Sequence, residues 1–174
     1  MSTATIEKQP PQVASPLAVT SVVTAQRPNT SKASSLLIGL DLGTKTVGVA
    51  VSDPDRRLAT PVETVARKRF TLDAARLIEL AVERRAVGFV LGLPINMDGT
   101  EGARAQSTRA FARNFANLTE LPIALWDERL STAAVERELI AADVSRAKRK
   151  AVIDQHAATF ILQGALDRLR NTTV

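Results

Sequence analysis

The run from Ile38 to Asp53, Ile-Gly-Leu-Asp-Leu-Gly-Thr-Lys-Thr-Val-Gly-Val-Ala-Val-Ser-Asp, constrains the fold more than any other stretch of the chain. It reads as two short β-strands joined by a tight turn, because apolar residues alternate with small ones on both sides of the turn. On the first strand Ile38, Leu40 and Leu42 share one face, while Leu37, Gly39, Asp41 and Gly43 share the other. On the second, Val47, Val49 and Val51 alternate with Thr46, Gly48, Ala50 and Ser52. Glycine weakens a strand interior, so glycines on either side of a lone carboxylate imply that something approaches the backbone closely there. A metal ion or a phosphate at Asp41 fits that role. The plainer alternative is a hairpin with an exposed Asp near its turn.

Beyond the hairpin, Arg57 to Val65 suits a third strand, with Pro61 placing it at an edge. Leu72, Ala75, Ile78, Ala81 and Val82 recur at helical spacing and predict a helix over Phe70–Arg85. Val87 to Gly92 is a continuous apolar run of strand length, as a strand covered on both faces requires. A glycine-bearing loop from Asn96 to Gly102 follows, then a helix from Ala103 to Leu118. Pro122–Trp126 is a further buried strand, Ser131 is placed to cap a helix through Ile140, and a last helix spans Arg146–Arg168. The order β-β-β-α-β-α-β-α-α predicts an α/β fold: an antiparallel meander continued by parallel crossovers into a five-stranded mixed sheet flanked by helices.

Residues 1–35 are expected to lie outside this domain as a disordered extension. They hold Pro10, Pro11, Pro16 and Pro28, eleven Ser or Thr, no Asp and a single Glu. Such a composition buries too little apolar surface to offset the entropy of ordering. Its apolar piece is too short to span a bilayer and lacks the form of a secretory signal, which suggests a soluble, cytoplasmic protein. The folded part is expected over residues 36–170, with 171–174 as a tail. With no cysteine, disulfides and thiolate metal sites are excluded. Aromatics are only 3% of the chain, so stacking of nucleobases on aromatic platforms is disfavoured. The net charge of +5 is compatible with a polyanionic partner. Arg146, Lys148, Arg149 and Lys150 form the densest basic cluster, whereas Arg67–Arg69 and Arg84–Arg85 read as solvated surface.

Three acidic stations carry the candidate chemistry. Asp41 lies on the first strand. Asp127 and Glu128 come where the Pro122–Trp126 strand ends, which is where open α/β sheets place their sites. If the strand persists through them, alternation points these two to opposite faces, leaving at most one as a direct ligand and the other to pair with Arg129. Asp154 heads the apolar stripe of the last helix, a costly place for a carboxylate unless it is paired or binds metal. Carboxylates from separate elements suit Mg²⁺ or Mn²⁺, which prefer oxygen ligands and promote phosphodiester hydrolysis. His156 falls away from Asp154 around the helix and is given no role, and Trp126 reads as core. Glu101, in the glycine-bounded loop, is a candidate to join the acids when substrate binds.

Four segments in order carry a family resemblance: Ile38–Asp53; Gly92-Leu-Pro-Ile-Asn-Met-Asp-Gly-Thr-Glu-Gly102; Asp127-Glu-Arg-Leu-Ser-Thr132; and Lys150-Ala-Val-Ile-Asp-Gln-His-Ala-Ala158. Together they make the chain resemble the YqgF-type, RuvX-like proteins. That resemblance implies an RNase H-like fold and a metal-dependent nuclease, acting in 5′-end maturation of pre-16S rRNA or, alternatively, on Holliday junctions. It also implies a site built from Asp41, Asp154 and an acid of the Asp127–Glu128 pair, with Asp41, Asp127 and Asp154 as metal ligands. Lys45, Arg129, Arg146, Lys148, Arg149 and Lys150 are the expected nucleic-acid contacts. Thr46 stands where many members carry Arg, which leaves Lys45 to do more. The implied partner is a ribosomal RNA precursor or branched DNA, with no membrane, and a homodimer is left open. Asp-Leu-Gly-Thr is also similar to the phosphate-binding hairpin of actin-like ATPases and sugar kinases. Those proteins need two lobes, and residues 36–170 have room for one. A non-catalytic nucleic-acid-binding module is the third reading, and acids at all three stations argue against it.

Overall fold

The computed structural model describes residues 13–14 and 36–172. Six strands, β1 (Val13–Ala14), β2 (Leu37–Leu42), β3 (Thr46–Ser52), β4 (Ala59–Ala66), β5 (Gly88–Leu93) and β6 (Ile123–Asp127), form one sheet in the order β1-β6-β5-β2-β3-β4. Four helices complete the described fold: α1 (Phe70–Arg84), α2 (Ala103–Ala116), α3 (Glu128–Ala141) and α4 (Arg146–Thr172).

The meander is the expected one. β2 pairs antiparallel with β3, and β3 with β4, while β2, β5 and β6 run parallel. β4 starts at Ala59 because the Asp53 carboxylate accepts the backbone N–H groups of Arg57 and Leu58, at 2.6 and 2.8 Å, and holds them in a turn. Pro61 falls on this edge strand opposite Ala50, next to a register shift, where its missing N–H costs little.

Side-chain alternation sorts the sheet into two layers. Ile38, Leu40 and Leu42 join Ala74 and Leu77 of α1 and Phe111 and Phe115 of α2. On the other face, Leu37, Val90, Ala124 and Trp126 pack against Ala158, Ile161, Leu162 and Leu166 of α4. α3 lies mainly on α4. Glycine is what lets α4 come down on the sheet: a β-carbon at Gly39 would meet the Leu162 Cβ at 2.6 Å and the Ala158 carbonyl at 2.9 Å. The close approach expected at this glycine is therefore made by a helix, and not by an ion or phosphate.

Other expectations change as well. Val13–Ala14, inside the stretch read as disordered, pairs in parallel with Ile123–Ala124 as a sixth, edge strand; the rest of 1–35 lies outside the described residues. The last helix runs to Thr172, so Asn171 and Thr172 are helical where a tail was expected. The α3 cap is Asp127, whose side chain accepts from the Arg129 N–H. Ser131 instead is buried inside α3 and accepts the Trp126 indole N–H at 2.7 Å, a polar handle that a buried Trp needs. Gly164 leaves room for this pair: a β-carbon there would stand 2.5 Å from the Ser131 Oγ. α4 breaks from helical geometry at His156 (φ −114°, ψ 16°), whose ring meets Phe160 edge-on.

Candidate functional site

Three carboxylates reach one cleft of about 320 Å³ from three separate elements: Asp41 from β2, Glu128 from the first turn of α3, and Asp154 from α4. Arg104, in the first turn of α2, and Thr132 also line it. Asp41 lies opposite Gly48, one residue before the end of its strand, so its side chain leaves the sheet on the α4 side. Glu128 fits against the sheet because position 92 is glycine.

Burial and mutual repulsion dominate the electrostatics. Desolvation raises the Asp41 carboxyl above its ordinary value, the Arg104 guanidinium works against that rise, and the Asp154 charge adds to it. Glu128 is pushed up to about 7, first by burial and then by the charge of Asp41, with Arg104 again opposing. Asp154 itself is exposed. The stripe that placed it on an inward face is interrupted by the break at His156, two residues later. Among the described residues, no three His, Asp or Glu side chains crowd into a single coordination shell.

β6 ends at Asp127 and Glu128 already opens α3, so strand alternation does not govern the pair; the two acids part at this strand-to-helix turn, and it is Glu128 that enters the cleft. Asp127 turns away and is held by Arg129, whose Nη2 donates to Oδ2 at 2.6 Å and whose Nε donates to Oδ1 at 3.0 Å. Arg129 also donates through Nη1 to the Asn96 carbonyl at 3.2 Å, so it clamps the 96–100 loop to α3. Neither residue of this pair lines the acid cleft.

Lys45 is exposed at the β2–β3 turn. Arg146, Lys148 and Lys150 are exposed at the start of α4, on the run that leads to Asp154. Arg149 differs: it is half-buried, and its Nη1 donates to the Val144 carbonyl at 2.6 Å, fastening the α3–α4 turn. Glu101 is tied up by two hydrogen bonds from Arg109 and stands outside the cleft. Arg104 is the residue that sequence reasoning missed. Its signal was present: a helix N-terminus favours acids, and α2 opens with an Arg and no acid in its first turn.

Residues 35–168 match the family profile described as "RuvX: Holliday junction resolvase", a span that holds β2–β6, α1–α3, most of α4 and all three acids. The chain belongs to the RuvX family. Among its relatives, proteins named "Putative pre-16S rRNA nuclease" from Rhodopseudomonas palustris (strain TIE-1) and Bradyrhizobium diazoefficiens are 81% and 80% identical over 133 and 135 residues. The first alignment spans 76% of this chain and 83% of the relative, the second 78% and 84%. Among solved structures, Thermus thermophilus RuvC in complex with a Holliday junction substrate is similar with a TM-score of 0.52 and 14% identity, over 80% of this chain and 96% of that one. That likeness is one of fold, and it agrees with the RNase H-like architecture. Among the described residues, no RuvX-family helix in this chain is long and apolar enough to cross a membrane.

Proposed function

We propose that this RuvX-family protein is a metal-dependent nuclease that hydrolyses phosphodiester bonds at the 5′ end of a 16S rRNA precursor, in the cytoplasm. The observation that carries the reading is the meeting of Asp41, Glu128 and Asp154 in one cleft. Asp41, Glu128 and Asp154 would hold Mg²⁺ or Mn²⁺. The donor set is all oxygen, as these ions require, and two of its three members are raised above their ordinary range, first by burial and then by a neighbouring carboxylate, with Arg104 only partly offsetting the rise. When bound, such an ion activates water and offsets charge on the phosphate. Asp127 is left out of the ligand set because Arg129 occupies its carboxylate.

The chain's own residues supply the rest. Glu128, near 7, is still partly protonated at neutral pH, so uptake of a cation there would be coupled to proton release. Arg146, Lys148 and Lys150 stand exposed ahead of Asp154, where they can hold phosphates without reading sequence. The choice of RNA rests on the name borne by relatives about 80% identical. A junction resolvase is the second reading, favoured by the description of the family profile.

Purified protein with Mn²⁺ is offered a precursor rRNA 5′ end, a four-way DNA junction and ATP in parallel. Cleavage of the RNA that is lost in Asp41→Asn supports the proposal. Symmetric nicking of the junction favours the second reading, and ATP turnover without nucleic-acid cleavage overturns both.

A further inference from the structure

A second cavity, of about 500 Å³, adjoins the acid cleft and shares Arg104, Glu128 and Thr132 with it. Its walls are aliphatic, from Pro94, Ile95, Met97 and Ala133, and the Met97 side chain is 89% exposed. One wall is a preformed turn. The Asp98 carboxylate accepts from both the N–H and the hydroxyl of Thr100, Gly99 takes a positive φ of 87°, and Arg129 pins the Asn96 carbonyl.

The charge in this groove is directional. Glu128, Thr132 and Glu136 recur at four-residue spacing on one face of α3, so they run from the acid cleft into the groove over about 12 Å. At the border between the two cavities stands Arg104, exposed and making no hydrogen bond or ion pair with the described residues, beside the open N-terminus of α2, where Gly102 offers no side-chain cap. Arg129, the other cation lining the groove, is taken by Asp127. The acids repel a polyanion, and Arg104 is the group placed to hold one against them. A phosphate there would be met by a guanidinium fork and by the positive end of a helix.

We infer that this groove is a subsite for one unpaired nucleotide of the substrate, its phosphate on Arg104 at the mouth of the acid cleft and its base against Met97, Ile95 and Ala133. The inference rests on the nuclease reading and narrows it to substrates with a single-stranded nucleotide beside the cut. The cavity lies within the range of about 300–1,000 Å³ that encloses small ligands, which suits a nucleotide and not a paired helix. Lacking an aromatic ring in its lining, it holds the base by aliphatic contact and shape. Glu136, at the far end, accepts from an amino group or a ribose hydroxyl and turns phosphate away, which fixes the direction of the strand.

The test is binding, with cleavage measured separately. Full-length protein in Ca²⁺ is titrated by fluorescence anisotropy with a labelled five-nucleotide single-stranded RNA and with a blunt RNA duplex. Arg104→Ala, Ala133→Trp and Met97→Glu should each weaken the single strand by roughly ten-fold, the scale of one lost charge-assisted bond or one blocked contact. Arg104→Lys should recover part of the loss, Arg113→Ala at the far end of α2 should change nothing, and Ala133→Trp should leave duplex binding as it was. Met97→Glu alters an exposed side chain, so it decides the matter if Ala133→Trp does not fold. Wild-type affinity in all three variants, or equal losses on single strand and duplex, overturns the subsite. Single-strand binding with this mutational pattern, in a protein that cuts neither RNA nor DNA, would keep the subsite and remove the nuclease reading.

Discussion

A β-carbon on Gly92 would stand 2.6 Å from Oε1 of Glu128 and 2.4 Å from Cδ1 of Ile161. Both atoms are the ends of flexible side chains, so the clash is relieved by moving them. Gly92→Ala should therefore cost little stability while displacing the carboxylate that enters the cleft. The expected outcome is a near-normal melting temperature with clearly weaker Mn²⁺ binding, by calorimetry, and slower cleavage. A variant with unchanged Mn²⁺ affinity would show that Glu128 is no ligand.

Gly39 presents the opposite case. Its neighbours are the Leu162 Cβ and the Ala158 carbonyl, which belong to the body of α4 and cannot swing aside. Gly39→Ala must push α4 off the sheet, an overpacking cost of roughly 1–3 kcal/mol. Chemical denaturation should show that loss with or without Mn²⁺.

The basic cluster divides into two roles. Replacing Arg146, Lys148 and Lys150 by Ala should leave stability intact and flatten the salt dependence of nucleic-acid binding, by up to roughly 0.9 per lost contact on duplex. Arg149→Ala should instead destabilise the α3–α4 turn, by about 1–2 kcal/mol for its bond to the Val144 carbonyl. A triple variant with the wild-type salt slope would remove the cluster from the binding surface.

Strand alternation made much of this legible in advance. Period two separated Ile38, Leu40 and Leu42 from Asp41, and the two layers of the core follow that division. The same rule reached Asp127 and Glu128 only on the condition that the strand continued; β6 ends at Asp127 and α3 begins at Glu128, so which acid faces inward was not legible. That depends on the crossing of α3 over Gly92 and on the reach of Arg129, both of them tertiary facts. The break at His156 was invisible because nothing local demands it: no Pro or Gly stands there, so the stripe brought Asp154 to the cleft but did not show that it stays exposed there. Arg104 was overlooked for a different reason, since a lone Arg in the first turn of a helix carries no period, and its weight comes from the acids it faces.

The two shifted acids set a pH dependence whose sign can be worked out. In the metal-free protein Glu128 has a folded value of about 7 against an ordinary 4.5, and Asp41 moves in the same direction. The folded state thus holds protons that the unfolded chain has released, and stability falls as pH rises through this range. The contribution is fully present below about 4.5 and lost above about 7, with a ceiling of roughly 3 kcal/mol for Glu128 at 1.36 kcal/mol per unit. Glu128→Gln should flatten that slope. Mn²⁺ reverses the sign, because it binds only the ionised acids: its stabilisation should grow as pH rises through about 7. Melting temperatures from pH 5 to 8, with and without Mn²⁺, check both halves. A metal-free stability that rises over this window and is untouched by Glu128→Gln would mean that Glu128 is not the buried, repelled acid on which the site depends.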